Sequence, residues 1–243
     1  MMIDLKDIAR KTLNFLHLDL TKNLEYDRLT KKIIKEVVST NSNCIDVGCH
    51  KGEILDEIIS SAPNAYHFAF EPIPLFFENL KTKYNNYNNI TFLPFALADK
   101  NGTASFNYVK NAPAYSGLNK REYAQKQPDI QEINVEIKRL DDLIPENVKI
   151  DFIKIDVEGA ELGVLMGAKR IIEDNKPVII FESGIGASDY YGTSPENVFD
   201  FFDKEVKMKV TLLKGFLDRK SLSRQEYIDV YNRREEYSFV AWV

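Results

Sequence analysis

The stretch "CIDVGCHKGE", residues 44–53, places a short apolar run directly before two glycines, a histidine and a lysine. Glycine lets the backbone approach a neighbour closely and adopt positive φ angles, which a tight turn after a strand requires. Asp46 closes the apolar run, and Gly48 and Gly52 follow it at the spacing Gly-x-x-x-Gly before a segment with helical period. The pattern predicts a strand, a loop and a helix, a junction at which α/β proteins hold nucleotide-like ligands.

Short apolar runs and segments of helical period alternate along much of the remaining chain. Strands separated by helices predict right-handed crossovers and a parallel sheet covered on both faces, so we predict an α/β fold. In such a sheet, ligands bind beyond the carboxyl ends of the strands. The predicted core strands are 44–47, 66–70, 90–97, 150–155 and 178–181, and the predicted helices are 53–60, 74–84 and 160–174.

Two regions depart from this alternation. Residues 100–140 contain an Asn-Gly turn signal and the alternating run "INVEIKRL", which predict extra strands and a loop inserted before the fourth core strand. Near the end, "MKVTLLKGFLD" and "YSFVAWV" are strand-like and flank the helical "RQEYIDVYNRREE". The sheet is therefore predicted to close with two strands, the last of them antiparallel.

Length and charge restrict the class of protein. A chain of 243 residues predicts one domain, 41–243, preceded by a helical segment, 1–40. Acidic residues outnumber basic ones by 37 to 32, and the formal net charge is -5. Because no long Lys/Arg run is present, nucleic acid is a poor partner for this chain.

The first twenty residues do not look like a membrane span or a signal peptide. No stretch of the chain reaches the ~18 uninterrupted apolar residues that a span needs, which predicts a cytoplasmic protein. Leu5, Ile8, Phe15 and Leu16 nevertheless recur near helical spacing. They predict an amphipathic helix that packs on the domain or on a second copy of the chain, or that lies on a membrane surface.

The two cysteines, Cys44 and Cys49, are too few for a disulfide scaffold. With His50 they give only three neighbouring candidates for a zinc ligand, one fewer than a structural zinc site uses. No resident metal ion is therefore predicted.

Acidic residues follow the second and third predicted strands. Glu71 is suited to accept hydrogen bonds from both hydroxyls of a ribose, or it caps the helix that begins at residues 72–74. Asp99 is suited to accept from an adenine amino group, or it belongs to the turn before Asn101 and Gly102. The loop after the first strand lacks the third glycine of a dinucleotide fingerprint, which favours a ligand without a pyrophosphate.

The fourth and fifth strand ends are the richest in charge. "KIDVEGAE" brings Lys154, Asp156 and Glu158 to the predicted mouth of a cleft, where like charges raise each other's pKa, and we interpret them as functional. Glu182 ends the fifth strand. The loop that follows it, rich in Gly, Ser and Tyr, either contacts a substrate or only connects to a helix capped by Ser194.

These strand ends resemble those of the FkbM family of S-adenosylmethionine-dependent methyltransferases. The matching motifs are "DVGCHKG", "EP", "ALAD" and "IDVEGAE", between about residues 44 and 182. The resemblance implies a Rossmann-like class I methyltransferase fold with a seven-stranded, mostly parallel sheet whose last strand is antiparallel. It also implies O-methylation of a sugar or another small hydroxylated acceptor, in polysaccharide or natural-product biosynthesis.

The resemblance further implies which residues contact S-adenosylmethionine, with Asp46 and Glu71 on the cofactor, Asp99 near its adenine and Asp156 by its methionine end. The predicted cofactor-binding residues are Asp46, Gly48, Cys49, His50, Lys51, Gly52, Glu71, Pro72, Ala98, Asp99, Ser116 and Asp156. The predicted catalytic or acceptor-binding residues are Lys154, Asp156, Glu158, Glu182 and His50, and His50 has the ordinary pKa best suited to a general base. Tyr115, Ser116 and Tyr123 are predicted to wall the site or to anchor their loop.

Three alternatives compete with this interpretation. A nicotinamide-dependent oxidoreductase would also place a carboxylate on a ribose, and a non-catalytic scaffold would bind the cofactor without transferring a methyl group. In a metal-assisted variant, Asp156, Glu158 and Glu182 would ligate Mg²⁺ through oxygen.

Overall fold

The structure is a computed structural model that describes residues 22–123 and 126–243. Ten strands are described within these residues, and most of the predicted core strands are confirmed to within two residues. They are β1 (Cys44–Val47), β2 (His67–Phe70), β3 (Ile90–Leu93), β4 (Phe95–Leu97), β5 (Gly102–Val109), β6 (Ile130–Lys138), β7 (Phe152–Ile155), β8 (Val178–Glu182), β9 (Lys209–Leu212) and β10 (Ser238–Trp242).

Seven of these strands form the main sheet, in the order β3-β2-β1-β7-β8-β10-β9. The pairs β1–β2, β1–β7, β2–β3 and β7–β8 are parallel. The last strand, β10, lies between β8 and β9 and runs antiparallel to both. The predicted α/β fold, with a mostly parallel seven-stranded sheet and an antiparallel last strand, is confirmed.

A second, three-stranded sheet contains β4, β6 and β5 in that order. The prediction of one strand over 90–97 is wrong, because β3 ends at Leu93 and β4 begins at Phe95 and pairs with β6 instead of the main sheet. Pro94 separates the two strands, and proline cannot donate to a strand ladder. The predicted extra strands in 100–140 are confirmed as β5 and β6.

Eight α-helices are described in the same part of the chain: α1 (Lys22–Val37), α2 (Glu53–Ser61), α3 (Pro74–Lys83), α4 (Glu161–Gly167), α5 (Lys169–Asn175), α6 (Pro195–Asp200), α7 (Leu213–Leu217) and α8 (Arg224–Arg233). The single helix predicted over 160–174 is wrong, because the chain breaks at Ala168 into α4 and α5. The strand predicted over 208–218 is also too long. Leu213 and Phe216 are buried three residues apart, a helical spacing, and they lie in α7.

The main sheet is covered on both faces, as its alternating side chains require. Ile45, Ile153 and Ile179 face a core that includes Val164 of α4 and Tyr227 of α8. The alternate positions, among them Phe152, Ile180 and Val240, face a second core that contains residues of α1, α2 and α7.

The helix α1 packs into this second core through Leu29, Ile33 and Ile34. The amphipathic segment predicted within residues 1–20 lies outside the described residues. Among the residues that are described, no helix has both the length and the apolar character needed to cross a membrane.

We expect Ile33→Ala in α1 to lower the free energy of unfolding by about 2–5 kcal/mol, because Ile33 is fully buried and its truncation leaves a cavity. Urea unfolding followed by circular dichroism measures the change. The neighbouring exposed Lys32→Ala is the control and should change stability by less than about 0.5 kcal/mol. An unchanged stability in Ile33→Ala would mean that α1 is not part of the folding unit.

Candidate active site

Strand register brings four predicted site residues to one edge of the main sheet. Val47 pairs with Phe70 on one side and with Ile155 on the other, and Ile155 pairs with Phe181. The residues that follow these four are Gly48, Glu71, Asp156 and Glu182. They therefore lie side by side beyond the carboxyl ends of β1, β2, β7 and β8, where the parallel sheet predicts a site.

Gly48 allows the first loop to pass directly against the fourth strand end. A Cβ atom on Gly48 would lie 1.8 Å from the backbone oxygen of Asp156, and the residue has a φ of 80°. The backbone N–H groups of Gly48 and Cys49 both donate to the oxygen of Phe70 at 3.0 Å. These contacts fix the loop between its two neighbouring strands.

Gly52, at the far end of the loop, packs against Tyr84, the residue that follows α3. Its φ is 77°, and an added Cβ would lie 2.4 Å from the Tyr84 hydroxyl. That hydroxyl donates to the backbone oxygen of Gly52 at 2.8 Å and to Oδ1 of Asp56 at 2.6 Å. The second glycine of the motif therefore serves the attachment of the loop, and it does not line either of the cavities described below.

A cavity lies beside the loop, at the carboxyl ends of the parallel strands. We call it the apolar cavity, because aromatic and aliphatic side chains form most of its wall. Its lining residues are Val47, Gly48, His50, Phe70, Glu71, Pro72, Ile73, Phe95, Ala96, Leu97, Phe106, Pro113, Ala114, Ser116, Leu118, Asp156, Val157, Glu158 and Ala160. The predicted site residues Gly48, Glu71, Pro72 and Ser116 are thus brought together here.

Glu71 is the buried carboxylate at the edge of the apolar cavity, only 4% exposed. Its Oε2 accepts from the backbone N–H of His50 at 2.8 Å, and its Oε1 accepts from that of Ile73 at 2.9 Å. Burial raises the pKa of Glu71 to about 7, although these two hydrogen bonds act to lower it. Since a carboxylate offers about four acceptor positions, two remain for hydroxyl donors from the cavity.

Asp46 and Cys49 lie behind the loop and do not line either cavity. Asp46 is 2% exposed, and its Oδ2 has no hydrogen-bond partner among the described residues. Burial raises the pKa of Asp46 to about 6, while the Cys49 thiol and the Leu55 backbone N–H oppose the shift. Asp46 therefore lies beside the loop and the start of α2, and its contact with the cofactor stays a prediction.

Lys154 lies in β7 directly opposite Asp46 in β1, and it is 6% exposed. Its Nζ is 3.4 Å from Oδ2 of Asp156. Burial disfavours its charge, but the attraction of Asp156, Glu182 and Asp46 outweighs burial and raises the pKa of Lys154. Lys154 does not line either cavity and lies beneath these carboxylates as a counter-ion, and its role at the acceptor stays a prediction.

A second cavity adjoins the first, and we call it the polar cavity. Its lining residues are Asn23, Tyr26, Asp27, His50, Lys51, Glu53, Ala114, Tyr115, Arg121, Asp156, Glu158, Gly159, Glu161, Glu182, Ser183, Gly184, Ile185, Ala187, Ser188, Tyr231, Arg234, Glu236 and Tyr237. Four residues line both cavities: His50, Ala114, Asp156 and Glu158. The two cavities therefore meet at these four residues, which we call the junction.

Two carboxylates that line the polar cavity have raised pKa values. Burial, with the negative charge of Asp156, raises the pKa of Glu182 to about 8. Burial also raises the pKa of Glu161 to about 7, although its Oε1 accepts from the backbone N–H groups of Val157 and Gly159, both at 3.1 Å. Glu182 therefore holds a proton for part of the time at neutral pH.

Glu158 has a φ of 59°, which is rare for a residue other than glycine. Its carboxylate forms an ion pair with Arg121, which belongs to the inserted segment between β5 and β6. The Arg121 guanidinium lies 5.1 Å from the ring centroid of Tyr115. The insertion thus reaches over the junction and supplies both an arginine and an aromatic wall.

His50 occupies the junction with an unusual backbone, at a φ of 47°. Its ring lies 4.4 Å from the ring of Phe76 of α3, centroid to centroid. Burial, and then the neighbouring Lys51, lowers the pKa of His50, and its Nε2 has no hydrogen-bond partner among the described residues. The imidazole is therefore neutral at physiological pH and has a nitrogen available to accept a proton.

Three other predicted residues lie away from the apolar cavity. Ala98 and Asp99 do not line either cavity, and Asp99 is exposed. The reason is that β4 joins the second sheet, and the chain after it packs against α4, where the backbone oxygen of Ala98 lies 2.1 Å from the position of a Cβ on Gly167. Lys51 is exposed and lines only the polar cavity.

Arg121 and Glu161 are the site residues that the sequence analysis did not select. Glu161 is part of the motif "IDVEGAE". The sequence did not show that this helical residue binds the backbone of the loop before it. Arg121 has no local motif. For the metal-assisted variant, no group of three His, Cys, Asp or Glu side chains in 22–123 and 126–243 is placed to hold an ion.

A seven-stranded sheet of this order, with two cavities meeting at the carboxyl ends of its parallel strands, is the architecture of a Rossmann-like methyltransferase. The chain belongs to the FkbM methyltransferase family, because residues 46–207 match the Methyltransferase FkbM domain. This membership confirms the resemblance stated from the four sequence motifs.

Individual relatives are distant. The chain is 25% identical over 162 residues to the 2-O-methyltransferase NoeI of Sinorhizobium fredii, an alignment that covers 60% of this chain and 65% of NoeI. It is 29% identical over 157 residues to the methyltransferase sdnD of Sordaria araneosa, covering 53% of this chain and 61% of sdnD. The chain thus spans less than two thirds of the length of either relative.

Among solved structures, the FkbM methyltransferase of Methylobacillus flagellatus has a similar fold. The TM-score is 0.53 at 16% identity, over 98% of this chain and 60% of the other. At that identity the similarity supports the fold and not a shared substrate.

Proposed function

We propose that this methyltransferase uses S-adenosylmethionine to methylate a hydroxyl oxygen of a sugar or another small hydroxylated acceptor. The observation that carries the proposal is the meeting of the apolar and polar cavities at His50, Asp156 and Glu158. One cavity suits an adenosine, and the other suits a polar acceptor. A methyl group at the junction would lie between the cofactor in the apolar cavity and the acceptor in the polar cavity.

The residues of the apolar cavity fit the adenosyl part of the cofactor. Its aromatic and aliphatic lining suits a purine ring, and the two unused acceptor positions of Glu71 suit the two hydroxyls of a ribose. Asp156 and Glu158 at the junction would face the positively charged sulfonium end. When bound, S-adenosylmethionine supplies an activated methyl group.

The charge of the site favours a cationic ligand over an anionic one. Glu71, Asp156 and Glu158 line the apolar cavity, and the residues that line it include no lysine or arginine. A pyrophosphate placed there would meet three carboxylates and no lysine or arginine in the lining, which argues against the nicotinamide alternative. Membership of a methyltransferase family argues in the same direction.

His50 is our candidate for the general base. O-methylation releases the proton of the acceptor hydroxyl, and a group at the junction must accept it. Glu158 is engaged by Arg121 and Asp156 by Lys154, whereas Nε2 of His50 has no partner among the described residues. The lowered pKa of His50 keeps the imidazole neutral at neutral pH, so one of its ring nitrogens can accept a proton.

The pH dependence of methyl transfer distinguishes His50 from Glu182. A base with a lowered pKa stays neutral as the pH falls, so with His50 we expect kcat to decline only below the ordinary histidine value of about 6.5. If Glu182 were the base, it would have to lose its proton first, and kcat would rise through a midpoint near 8. Steady-state rates between pH 5 and 9, under saturating cofactor, separate the two.

His50→Asn provides a direct test, because asparagine tolerates the left-handed backbone that residue 50 requires. We expect kcat to fall by about 10²- to 10⁴-fold, the usual contribution of a general base. The affinity for S-adenosylhomocysteine, measured by calorimetry, should change by less than about threefold. A general base acts during the transfer step, and this product has no methyl group to transfer. A kcat within twofold of the wild type would remove His50 from this role.

An O-methylated acceptor is supported by the 2-O-methyltransferase NoeI, at 25% identity, and by the nature of the polar cavity. Tyrosines, carboxylates and an asparagine line it, and these are groups that stack on a ring and bind hydroxyls. Biosynthesis of a polysaccharide or a natural product is the context that we propose for such an acceptor.

Two measurements test the proposal. Calorimetry with S-adenosylhomocysteine and with NAD should show binding of the first alone, and binding of NAD alone would overturn it. Incubation with isotopically labelled S-adenosylmethionine and a cell glycan extract should give a labelled O-methyl product. Cofactor binding without any product would favour the scaffold alternative, and loss of the product after chelation would favour the metal-assisted one.

A further inference from the structure

One wall of the polar cavity comes from two segments that are far apart in the sequence. Asn23, Tyr26 and Asp27 lie in the first turns of α1, and Glu236 and Tyr237 directly precede β10. We call these five residues the end wall. They do not line the apolar cavity, so the end wall is separate from the residues that fit the cofactor.

Contacts between the two segments hold the end wall in place. The Tyr26 hydroxyl donates to Oε2 of Glu236 at 2.5 Å, and the backbone N–H of Tyr237 donates to the Tyr26 hydroxyl at 3.2 Å. The Tyr237 hydroxyl donates to Oδ1 of Asn23. The rings of Tyr26 and Tyr237 meet edge to face, with centroids 4.7 Å apart. A wall fixed in this way can present a preorganised surface to a ligand.

The end wall lies outside the part of the chain that matches the family. The match covers residues 46–207, which contain the junction, Glu71 and the glycine loop. Both segments of the end wall fall beyond these bounds. The matched region therefore contains the residues of the proposed cofactor site and of the junction, whereas the end wall lies outside it.

The charge of the polar cavity restricts what the end wall can face. Its described lining residues include seven carboxylates but only three cationic side chains, Lys51, Arg121 and Arg234. Arg121 is paired with Glu158, and Arg234 lies 3.6 Å from Glu122. Two lysines outside the lining, Lys22 and Lys154, are paired with Glu236 and Asp156, and the described carboxylates still outnumber the cations around the cavity. A ligand that carries a negative charge would be repelled by these carboxylates. An uncharged, hydroxylated ring meets no such penalty and can use the polar and aromatic groups of the wall.

We propose that the end wall is the acceptor-selecting subsite of this enzyme and that it takes an uncharged hydroxylated ring, such as a neutral sugar, in preference to a sugar acid. This inference rests on the proposed function. It adds that the two segments of the end wall choose the acceptor, while the family-matched region holds the cofactor and performs the transfer.

Neighbouring glutamates offer a matched pair for the test. Glu236 lines the polar cavity, whereas Glu235 does not line either cavity and its carboxylate lies 3.7 Å from Nε of Arg233. We expect Glu236→Gln to raise the acceptor KM at least tenfold, and Glu235→Gln to leave it within twofold. Asn23→Ala, an exposed residue whose loss spares the core, is the second variant and should act like Glu236→Gln.

The assay uses the full chain, labelled S-adenosylmethionine, and a panel of methyl hexosides, N-acetylhexosaminides and hexuronides alongside a cell glycan extract. Affinity for S-adenosylhomocysteine is measured in parallel and should stay within twofold in all three variants. An unchanged acceptor KM in Glu236→Gln and Asn23→Ala would overturn the inference, as would a preference for the hexuronides or an equal loss of S-adenosylhomocysteine affinity. Absence of any labelled product with the wild type would instead refute the proposed function.

Discussion

Replacing Glu71 with alanine is expected to raise the dissociation constant of S-adenosylhomocysteine by about 100-fold or more. Each hydrogen bond to a charged group contributes roughly 1.5–3 kcal/mol, and Glu71 has two acceptor positions left for ribose hydroxyls. Two such bonds correspond to at least about 3 kcal/mol, or a factor of roughly 100 in affinity. Isothermal titration calorimetry measures the change directly.

Two further variants show whether the effect belongs to the carboxylate. Glu71→Gln keeps the shape and one carbonyl oxygen, so we expect an intermediate loss of affinity. Glu78→Ala removes a glutamate on α3 whose side chain is 65% exposed and only approaches Lys81, and it should leave binding unchanged. If Glu71→Ala bound S-adenosylhomocysteine as tightly as the wild type, the apolar cavity would not be the adenosine site.

Gly48→Ala is expected to have the largest effect on the fold near the site. The added Cβ would lie 1.8 Å from the backbone oxygen of Asp156, and a backbone atom cannot move aside without shifting β7 or the loop. The left-handed backbone at this position adds roughly 1–2 kcal/mol for any residue with a Cβ. We expect a loss of about 3 kcal/mol or more in the free energy of unfolding, together with loss of cofactor binding.

Gly192→Ala is the matched control for this prediction. Gly192 also has a positive φ, 68°, but a Cβ there would meet no atom within 4 Å. Its substitution therefore measures the backbone cost alone. The difference between the two variants in urea unfolding isolates the contact with Asp156. Equal destabilisation would mean that the close approach of the two loops is unimportant.

The sequence was sufficient to predict much of the fold, because the periodicity of apolar residues is a local signal. The strands of the main sheet and the helices that cover it follow from that signal. Local reasoning failed where a single residue redirects the chain. Pro94 sends β4 into the second sheet, and the identity of its new partner, β6, depends on residues about 40 positions further along.

The same limit applies to the candidate site. Gly48, Glu71 and Asp156 were predictable because each follows its own strand and the parallel strands end together. The position of Asp99 was not predictable, because the strand before it belongs to the second sheet and not to the main sheet. The pairing of Lys154 with Asp46 across neighbouring strands also depends on register, which a local pattern does not contain.

Arg121 and the end wall depend on contacts between residues that are distant in the sequence. Arg121 precedes β6 in the sequence, whereas its partner Glu158 follows it. Tyr26 and its partner Glu236 lie near opposite ends of the sequence. No spacing rule links such pairs. Only the folded arrangement shows that the insertion and the two chain segments border one cavity.

The position of β10 has a consequence for the order in which the protein assembles on the ribosome. Because β10 lies between β8 and β9, the earlier strand β9 has no place in the sheet until β10 has emerged. A nascent chain that already contains β9 therefore exposes the edge of β8, an unpaired strand that can capture another chain. Completion of the sheet therefore waits until β10 has emerged from the ribosome, and so does closure of the cavity wall that Glu236 and Tyr237 supply.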